Sequence, residues 1–418
     1  MEILKIITAV VSLILTVCYA YQFLYIPIAL WGGRKRKPAH GVPHSFAVMI
    51  CARNEGEVIG DLIASIKHQT YDGSLIKIFV LADNCTDDTE EKARSAGATV
   101  YRRRNLRLVG KGYALGELMG HIRRDHPEGF DGYFVFDADN ILAEDYIERM
   151  NETFSNGHAL VTGYRNSKNY GDNWISAGYS LGFMRECRYM NGARAVLGAS
   201  SFVSGTGFLF SREIADEMGG WRFHTLTEDK EFTIYQILKG RRVAYCPDAE
   251  LFDEQPLTFA QSWRQRQRWA KGFLQVFGKY GARLAKNAMR GDISSYDILM
   301  AVFPSFVLSA VTIIGNTALA LATAANVGTA LVRIALGLYT SLFFVGALTT
   351  CTEWRRIHTT TAKKLWYTVT FPVFSFTFIP VALSAIFARP QWRPIHHTVS
   401  AKRMSKDNIA AMRLGKTA

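Results

Sequence analysis

The stretch "GYFVFDAD" at 132–139 ends an apolar run on two carboxylates, Asp137 and Asp139. Side chains alternate along a strand, so both point one way and can offer oxygens to one hard cation. Mg2+ or Mn2+, held by one or two carboxylates while it bridges substrate phosphates, is the expected use. Two solvated acids at a strand end are the bland alternative. Asp83 ends a second apolar run, "IKIFVLAD" at 76–83, where it can serve a ligand or an Asx turn. "VGKGYAL" at 109–115 sets two glycines around Lys111 ahead of a helix, suited to backbone and ammonium contacts with an anion. The spacing GxxxxGK[ST] is absent, so this is not a P-loop of an ATPase. In "SGTGF" at 204–208, Gly205 and Gly207 allow close approach of backbone to a ligand around Thr206. Thr227, Glu228 and Asp229 open an amphipathic helix. A cap with first-turn acids explains the triplet structurally; a carboxylate that takes a proton explains it chemically. The local sequence leaves both open.

"RQRQRWAKG" at 264–272 raises a sharper question, because it stands just before a long uncharged region. A helix through 258–280 places Gln265, Arg268 and Trp269 on one face at i, i+3 and i+4. Arginine binds a diphosphate bidentately, and an indole face suits a sugar ring. A basic helix lying on anionic lipid competes as an explanation, with Phe259, Trp263, Phe273 and Phe277 in the headgroup region. Glutamine and tryptophan add nothing to lipid attraction, which favours the site.

These residues need a scaffold. Between 43 and 281, short β-branched runs alternate with helical stretches, predicting an α/β fold with a mostly parallel sheet. Strands are expected at 46–52, 76–83 and 132–139, and helices at 57–69, from 87, and at 144–154. Ligands of such sheets sit at the carboxyl ends of the strands. Those ends carry Arg53, Asn54 and Glu55, then Asp83, then Asp137 and Asp139.

Residues 6–31 carry no charge, enough for a helix across roughly 30 Å of hydrocarbon. The stretch is too long for a cleaved signal peptide. Arg34, Lys35, Arg36 and Lys37 follow, placing that flank in the cytoplasm by the positive-inside rule. Further uncharged runs cover 298–332, 334–352 and 365–388. The first two predict a helical hairpin turning near Asn326 and Gly328, with Arg333 snorkelling. The third contains Pro372 and Pro380, which should kink it. Three such spans would leave the basic tail outside, unless the last is re-entrant. The organisation expected is therefore a span at 1–33, a cytosolic domain at 43–257, amphipathic interface helices at 258–296, about three spans at 297–388, and a basic tail at 389–418. The 418 residues carry 49 Lys and Arg against 36 Asp and Glu, a net charge of +13 that calls for an anionic partner. The basic residues cluster at membrane flanks, so nucleic acid is set aside. Six cysteines without CxxC pairing favour a reducing compartment and no structural zinc.

Asp83, the "DAD" at 137–139, the "TED" at 227–229 and "QRQRW" at 265–269 together resemble the D, DxD, [ET]D and QxxRW signature of membrane-integrated family 2 glycosyltransferases, which include cellulose, hyaluronan and poly-N-acetylglucosamine synthases. The resemblance implies a GT-A fold that uses a UDP-sugar. By that analogy Asp83 contacts the uridine part, and the loop of Ala52, Asn54 and Glu55 lines the base. Asp137 and Lys111 face the donor, and Asp139 holds Mg2+ or Mn2+ on the diphosphate. Asp229 is the general base of an inverting transfer, with Thr227 and Glu228 beside it. Gln265 and Arg268 stabilise the leaving UDP. Trp269 stacks on the acceptor sugar, near Gly205, Thr206 and Gly207. The expected activity is a processive synthase that polymerises a β-linked polysaccharide from UDP-glucose or UDP-N-acetylglucosamine and passes the growing glycan across the plasma membrane. A non-processive enzyme making a glycolipid is the alternative. "SGTGF" matches neither the cellulose nor the hyaluronan form, and the short membrane region invites a homo-oligomer or an accessory subunit.

Overall fold

The computed structural model describes residues 2–32, 41–323, 326–388 and 397. Two apolar helices open the chain, α1 (Glu2–Tyr19) and α2 (Tyr21–Trp31), with a break at Ala20. The first half of the α/β domain holds β1 (Phe46–Ala52), α3 (Ile59–Lys67), β2 (Ile76–Asp83), α4 (Thr89–Ser95), β3 (Thr99–Arg103), α5 (Lys111–Asp125) and β4 (Gly132–Asp137). The second holds β5 (Ile141–Leu142), α6 (Tyr146–Ser155), β6 (Leu160–Ser167), α7 (Trp174–Arg185), α8 (Gly192–Leu197), β7 (Phe208–Ser211), α9 (Arg212–Met218), α10 (Glu228–Leu238) and β8 (Ala244–Asp253). A π-helical stretch, Glu186–Asn191, joins α7 to α8. There follow α11 (Phe259–Ala288), α12 (Ile293–Val302), α13 (Ser305–Thr323), α14 (Val327–Thr352), α15 (Thr361–Phe376) and α16 (Phe378–Phe387).

The sheet runs β3-β2-β1-β4-β7-β6-β8-β5. Strands β1 to β4 pair in parallel, as do β6 and β8, whereas β7 is antiparallel to both its neighbours and β5 to β8. The central strands read as continuous apolar runs because helices cover both faces. Phe46, Val48 and Ile50 pack with α3 and α6, while Ala47 and Met49 pack with α5. The register sets Cys51 against both Leu81 and Asp137, so the carboxyl ends of β1, β2 and β4 finish level.

The strand predicted through Asp139 ends at Asp137. Asn140 closes a turn onto it: its N–H donates to the Asp137 carbonyl at 3.1 Å, and its Oδ1 accepts from the Asp137 N–H at 3.1 Å. Asp139 therefore sits on a turn and need not point with Asp137. The helix from 258 is present but longer than expected, and α12 runs across the predicted boundary at 296/297.

Among the described residues, four segments are long and apolar enough to cross a membrane: Glu2–Trp31, Ser305–Thr323, Val327–Thr352 and Thr361–Phe387. The hairpin turns where expected, with the Asn326 side chain capping α14 through the Thr329 N–H at 3.0 Å. The last span breaks at Thr377, between Pro372 inside α15 and Pro380 in the first turn of α16. The basic flank at 34–37 and the tail from 389, His397 excepted, lie outside the described residues.

Candidate active site

The level strand ends bring three acids to one edge, and each meets a different counter-charge. Asp83 faces Arg103 across the β2–β3 pair, with Nη1–Oδ1 at 2.6 Å and both side chains buried. Burial pushes the Asp83 carboxyl up, and Arg103 holds part of that shift back. Asp137 meets the Lys111 ammonium at the start of α5. Lys111 also donates to the Gly205 carbonyl at 2.7 Å. Its pKa is raised: burial works against the charge, and Asp137 and Glu228 outweigh it. Asp139 is buried and accepts the Glu254 N–H at 2.8 Å. Its carboxyl is lowered despite burial, because His397, Lys168 and Arg165 face it. Glu55 accepts from His397 Nδ1 at 2.9 Å. Burial disfavours charge on this imidazole, but Asp139, Glu55 and Glu254 prevail and lift its pKa to about 10. An oxygen-rich pocket of this kind suits a hard cation. Among the described residues no three His, Cys, Asp or Glu side chains converge on one point. A cation at Asp139 would therefore complete its shell on substrate oxygens.

Across from these acids, α10 and α11 supply the other half. Thr227 sits at the N-cap position of α10, yet its side chain makes no capping bond. Its Oγ1 is buried without a partner. A Cβ at Gly272 would lie 2.6 Å from that hydroxyl, so glycine lets α11 approach α10 this closely. Asp229 reaches toward Gly205, where a Cβ would come within 3.9 Å of its Oδ2. Glu228 is buried, and burial with the neighbouring Asp229 raises its pKa from 4.5 to about 7 against the pull of Lys111 and Arg268.

Two roles of α11 explain the crowding at 264–272. Gln265, Arg268 and Trp269 line the site; Arg268 Nη1 donates to the Leu226 carbonyl at 2.8 Å, and Gln265 Oε1 is buried with no partner. Arg266 and Gln267, which also reach the cavity, grip the broken span together with Lys271. Arg266 Nη1 donates to Thr377 Oγ1 at 2.8 Å and to the Phe374 carbonyl at 3.3 Å, satisfying backbone that the break at Thr377 leaves open. Gln267 Nε2 reaches Ser384 Oγ at 2.8 Å and Lys271 Nζ the Ile386 carbonyl at 3.1 Å. One helix thus carries site residues and a membrane clamp.

All of this surrounds one cavity of about 1250 Å³. Ala52, Glu55, Asp83, Lys111, Asp137, Asp139, Gly205, Thr227, Glu228, Asp229, Gln265, Arg268 and Trp269 line it. Three predicted site residues do not. Asn54, at φ 57°, instead accepts the Thr86 N–H at 2.8 Å and shapes the loop. Thr206 Oγ1 accepts the Asp137 N–H at 2.9 Å and donates to Asn140, buttressing the strand end from behind. At Gly207, with φ 64°, a Cβ would lie 1.9 Å from Leu251, so packing alone already calls for glycine there. The cavity also takes walls that sequence reasoning missed: Arg165, Asp253 and Glu254 from β6, β8 and the residue after it, Tyr179, Phe183 and Arg185 from α7, and Phe371, Phe374 and Phe378 from the last span. The charged strand residues were the available signal, since ionic groups on strands are rarely buried without a partner. Nothing in spacing pointed to His397.

Residues 43–272 match the glycosyltransferase-like family 2. The chain belongs to that family. It is 26% identical over 278 residues to a beta-monoglucosyldiacylglycerol synthase of Synechocystis, covering 64% of this chain and 57% of the relative. It is also 26% identical over 241 residues to a poly-beta-1,6-N-acetyl-D-glucosamine synthase of Staphylococcus aureus, covering 54% of each. The chain thus spans little more than half the length of these relatives. Among solved structures, the mannosyltransferase PcManGT from Pyrobaculum calidifontis, in complex with GDP-Man and Mn2+, superposes with a TM-score of 0.59 at 16% identity, covering 91% of this chain and 99% of that one. The likeness establishes the fold: this family 2 glycosyltransferase has the GT-A architecture with apolar helices added at both ends.

Proposed function

We propose that this family 2 glycosyltransferase moves one hexose from a UDP-sugar to a hydroxyl of a membrane lipid, with inversion, at the cytoplasmic face of the plasma membrane in which it is a multi-pass protein. The observation that carries the proposal is the continuity of the cavity. It runs from the strand-end carboxylates, past Asp229, to the rings Phe371, Phe374 and Phe378 of the last span. Among the described residues, that span alone of the four contributes walls to it. A conduit for a polymer needs walls from several spans; lateral entry of a lipid needs one.

In this scheme the acceptor hydroxyl gives its proton to Asp229 as its oxygen bonds to the anomeric carbon. The bond from that carbon to the diphosphate breaks, and the nucleoside diphosphate leaves with the electron pair. Arg268 and the free Gln265 Oε1 flank the path, the former stabilising charge that grows on the departing group. Ala52, Glu55 and Asp83 border the nucleoside side, and Lys111 and Asp137 the diphosphate. When bound, Mg2+ or Mn2+ supplies neutralisation of the diphosphate, and Asp139 is the residue that would hold it.

Polymerisation is the second reading, favoured by Trp269, whose ring meets Tyr179 edge-on at 5.8 Å and Phe183 at 6.1 Å, a platform of the kind sugar chains use. One assay tests both. Purified protein in lipid vesicles is given UDP-glucose, UDP-N-acetylglucosamine and GDP-mannose in turn with Mg2+ or Mn2+, and the products are sized. A single sugar on a lipid is expected; a high-molecular-weight glycan would transfer the case to a polymerase.

A further inference from the structure

Toward the membrane end of the cavity two cations, Arg185 and Lys230, have no ion-pair partner of their own among the described residues. Three successive backbone carbonyls, running from this end toward the strand-end carboxylates, each accept from a different cation. Lys230 Nζ reaches Val203 O at 2.9 Å, Arg165 Nη1 reaches Ser204 O at 3.0 Å, and Lys111 Nζ reaches Gly205 O at 2.7 Å. Lys111 is neutralised by Asp137, and Arg165 by Asp253, with Nε–Oδ2 at 2.6 Å. Lys230 has no such partner within ion-pair reach among the described residues. Arg185, the last residue of α7, is in the same position. Its hydrogen bond, at 3.1 Å, is to Gln22 Oε1 on the first span.

The carboxylate that both act on is Glu186, already bonded to Arg194 at 3.2 Å. Arg194 is itself held by Asp297, with Nε–Oδ2 at 2.7 Å. Glu186 stays ionised against burial because Arg194, Lys230 and Arg185 surround it. Burial lowers the Arg185 pKa, and Glu186 offsets that only in part. Arg185 and Lys230 thus share one carboxylate, Glu186, which also serves Arg194. A half-buried guanidinium without a carboxylate of its own carries a desolvation cost, and a ligand that supplies an anion lowers it. Both Arg185 and Lys230 line the cavity and are partly accessible through it.

We propose that Arg185 and Lys230 form a subsite for an anionic group on the acceptor, a phosphate carried close to the accepting hydroxyl. The inference rests on the lipid-acceptor reading above and narrows it to a phosphate-bearing headgroup. Arginine can grip two phosphate oxygens at once. Lys230 and Asp229 line the same cavity, so an anion seated at Lys230 can hold a neighbouring hydroxyl near the base. The tie from Arg185 to Gln22 sets the subsite beside the first span, where a headgroup would arrive.

The test compares acceptors in phosphatidylcholine vesicles: phosphatidylglycerol, which has free hydroxyls beside its phosphate, against neutral diacylglycerol, with soluble glycerol 3-phosphate as a third arm. Phosphatidylglycerol should be glycosylated with a kcat/KM at least about tenfold above diacylglycerol, the worth of one charge-assisted hydrogen bond. Lys230→Gln and Arg185→Gln should each raise KM for phosphatidylglycerol about tenfold and narrow that preference, while Arg185→Lys restores part of it. Equal use of both lipids, or variants that slow both equally, would overturn the subsite and leave the lipid reading standing. Transfer to glycerol 3-phosphate with the same sensitivity to Lys230→Gln would keep the subsite but assign it to a soluble phosphate. A polymer with no lipid product would remove both readings together.

Discussion

The two ends of the cavity treat charge in opposite ways. At the strand ends each acid is matched by this chain: Asp83 by Arg103, Asp137 by Lys111, and Asp139 by a backbone N–H and His397. At the membrane end the walls are rings, and Arg185 and Lys230 lack carboxylates of their own. A matched set is preorganised, so in the proposed scheme a donor would bind there by exchanging partners with little rearrangement. An unmatched set waits for charge from outside. On the proposed reading, the matched end takes the nucleoside diphosphate and the unmatched end selects among acceptors.

Asp229 stands between the ends, so its loss should separate them most sharply. Asp229→Asn keeps the shape and the donor contacts but removes the proton acceptor. Transfer is expected to fall about 10³-fold, while UDP affinity measured by calorimetry stays within about twofold of the parent. Loss of UDP binding in step with transfer would mean that Asp229 belongs to the donor end. Transfer retained to within about tenfold would move the base elsewhere.

The next effect concerns Glu228, the one acid of the site that burial and Asp229 push to about 7 from its ordinary 4.5. Between those values the folded chain keeps a proton that the unfolded chain has released. Stability must therefore fall as pH rises through the window, by on the order of 3 kcal/mol at full extent. Glu228→Gln carries no proton to lose, so its thermal stability in detergent should decline less than the parent's between about pH 5 and about pH 8. An unchanged slope would show that the proton is held by another group.

Why these two acids were legible in sequence, and others not, follows from how each is positioned. Strand ends and a helix start are local features, and Asp83, Asp137, Glu228 and Asp229 sit on them. Hydrophobic periodicity likewise located β1, β2, the hairpin after α13 and the kinked last span. Asp139 was legible as a residue but misplaced, because the turn after β4 is closed by backbone and side-chain bonds between Asn140 and Asp137 that no periodicity encodes. Asn54, Thr206 and Gly207 carry the residue types of ligand-contacting loops, yet each serves a contact with a distant segment: Thr86, Asn140 and Leu251. The membrane end was invisible for the same reason. Arg165, Arg185 and Lys230 become neighbours only when β6, α7 and α10 pack, and His397 lies 342 residues from the Glu55 it meets.

The smallest expected effect would sharpen the comparison from the acceptor side. Trp269 shares its helix face with Gln265 and Arg268 but touches rings rather than charges, with Tyr179 and Phe183 against its edges. Trp269→Ala removes an apolar platform and no formal charge. The KM for the lipid acceptor should rise about tenfold, in line with the loss of one aromatic contact in a desolvated site. The KM for the nucleotide sugar should change by less than about twofold, since the donor acids and Arg268 remain. If both constants moved together, the indole would be holding α11 in place for the whole cavity. If only the donor constant moved, the ring-lined mouth would be the wrong end for the acceptor, and the division between matched and unmatched charge would lose its functional meaning.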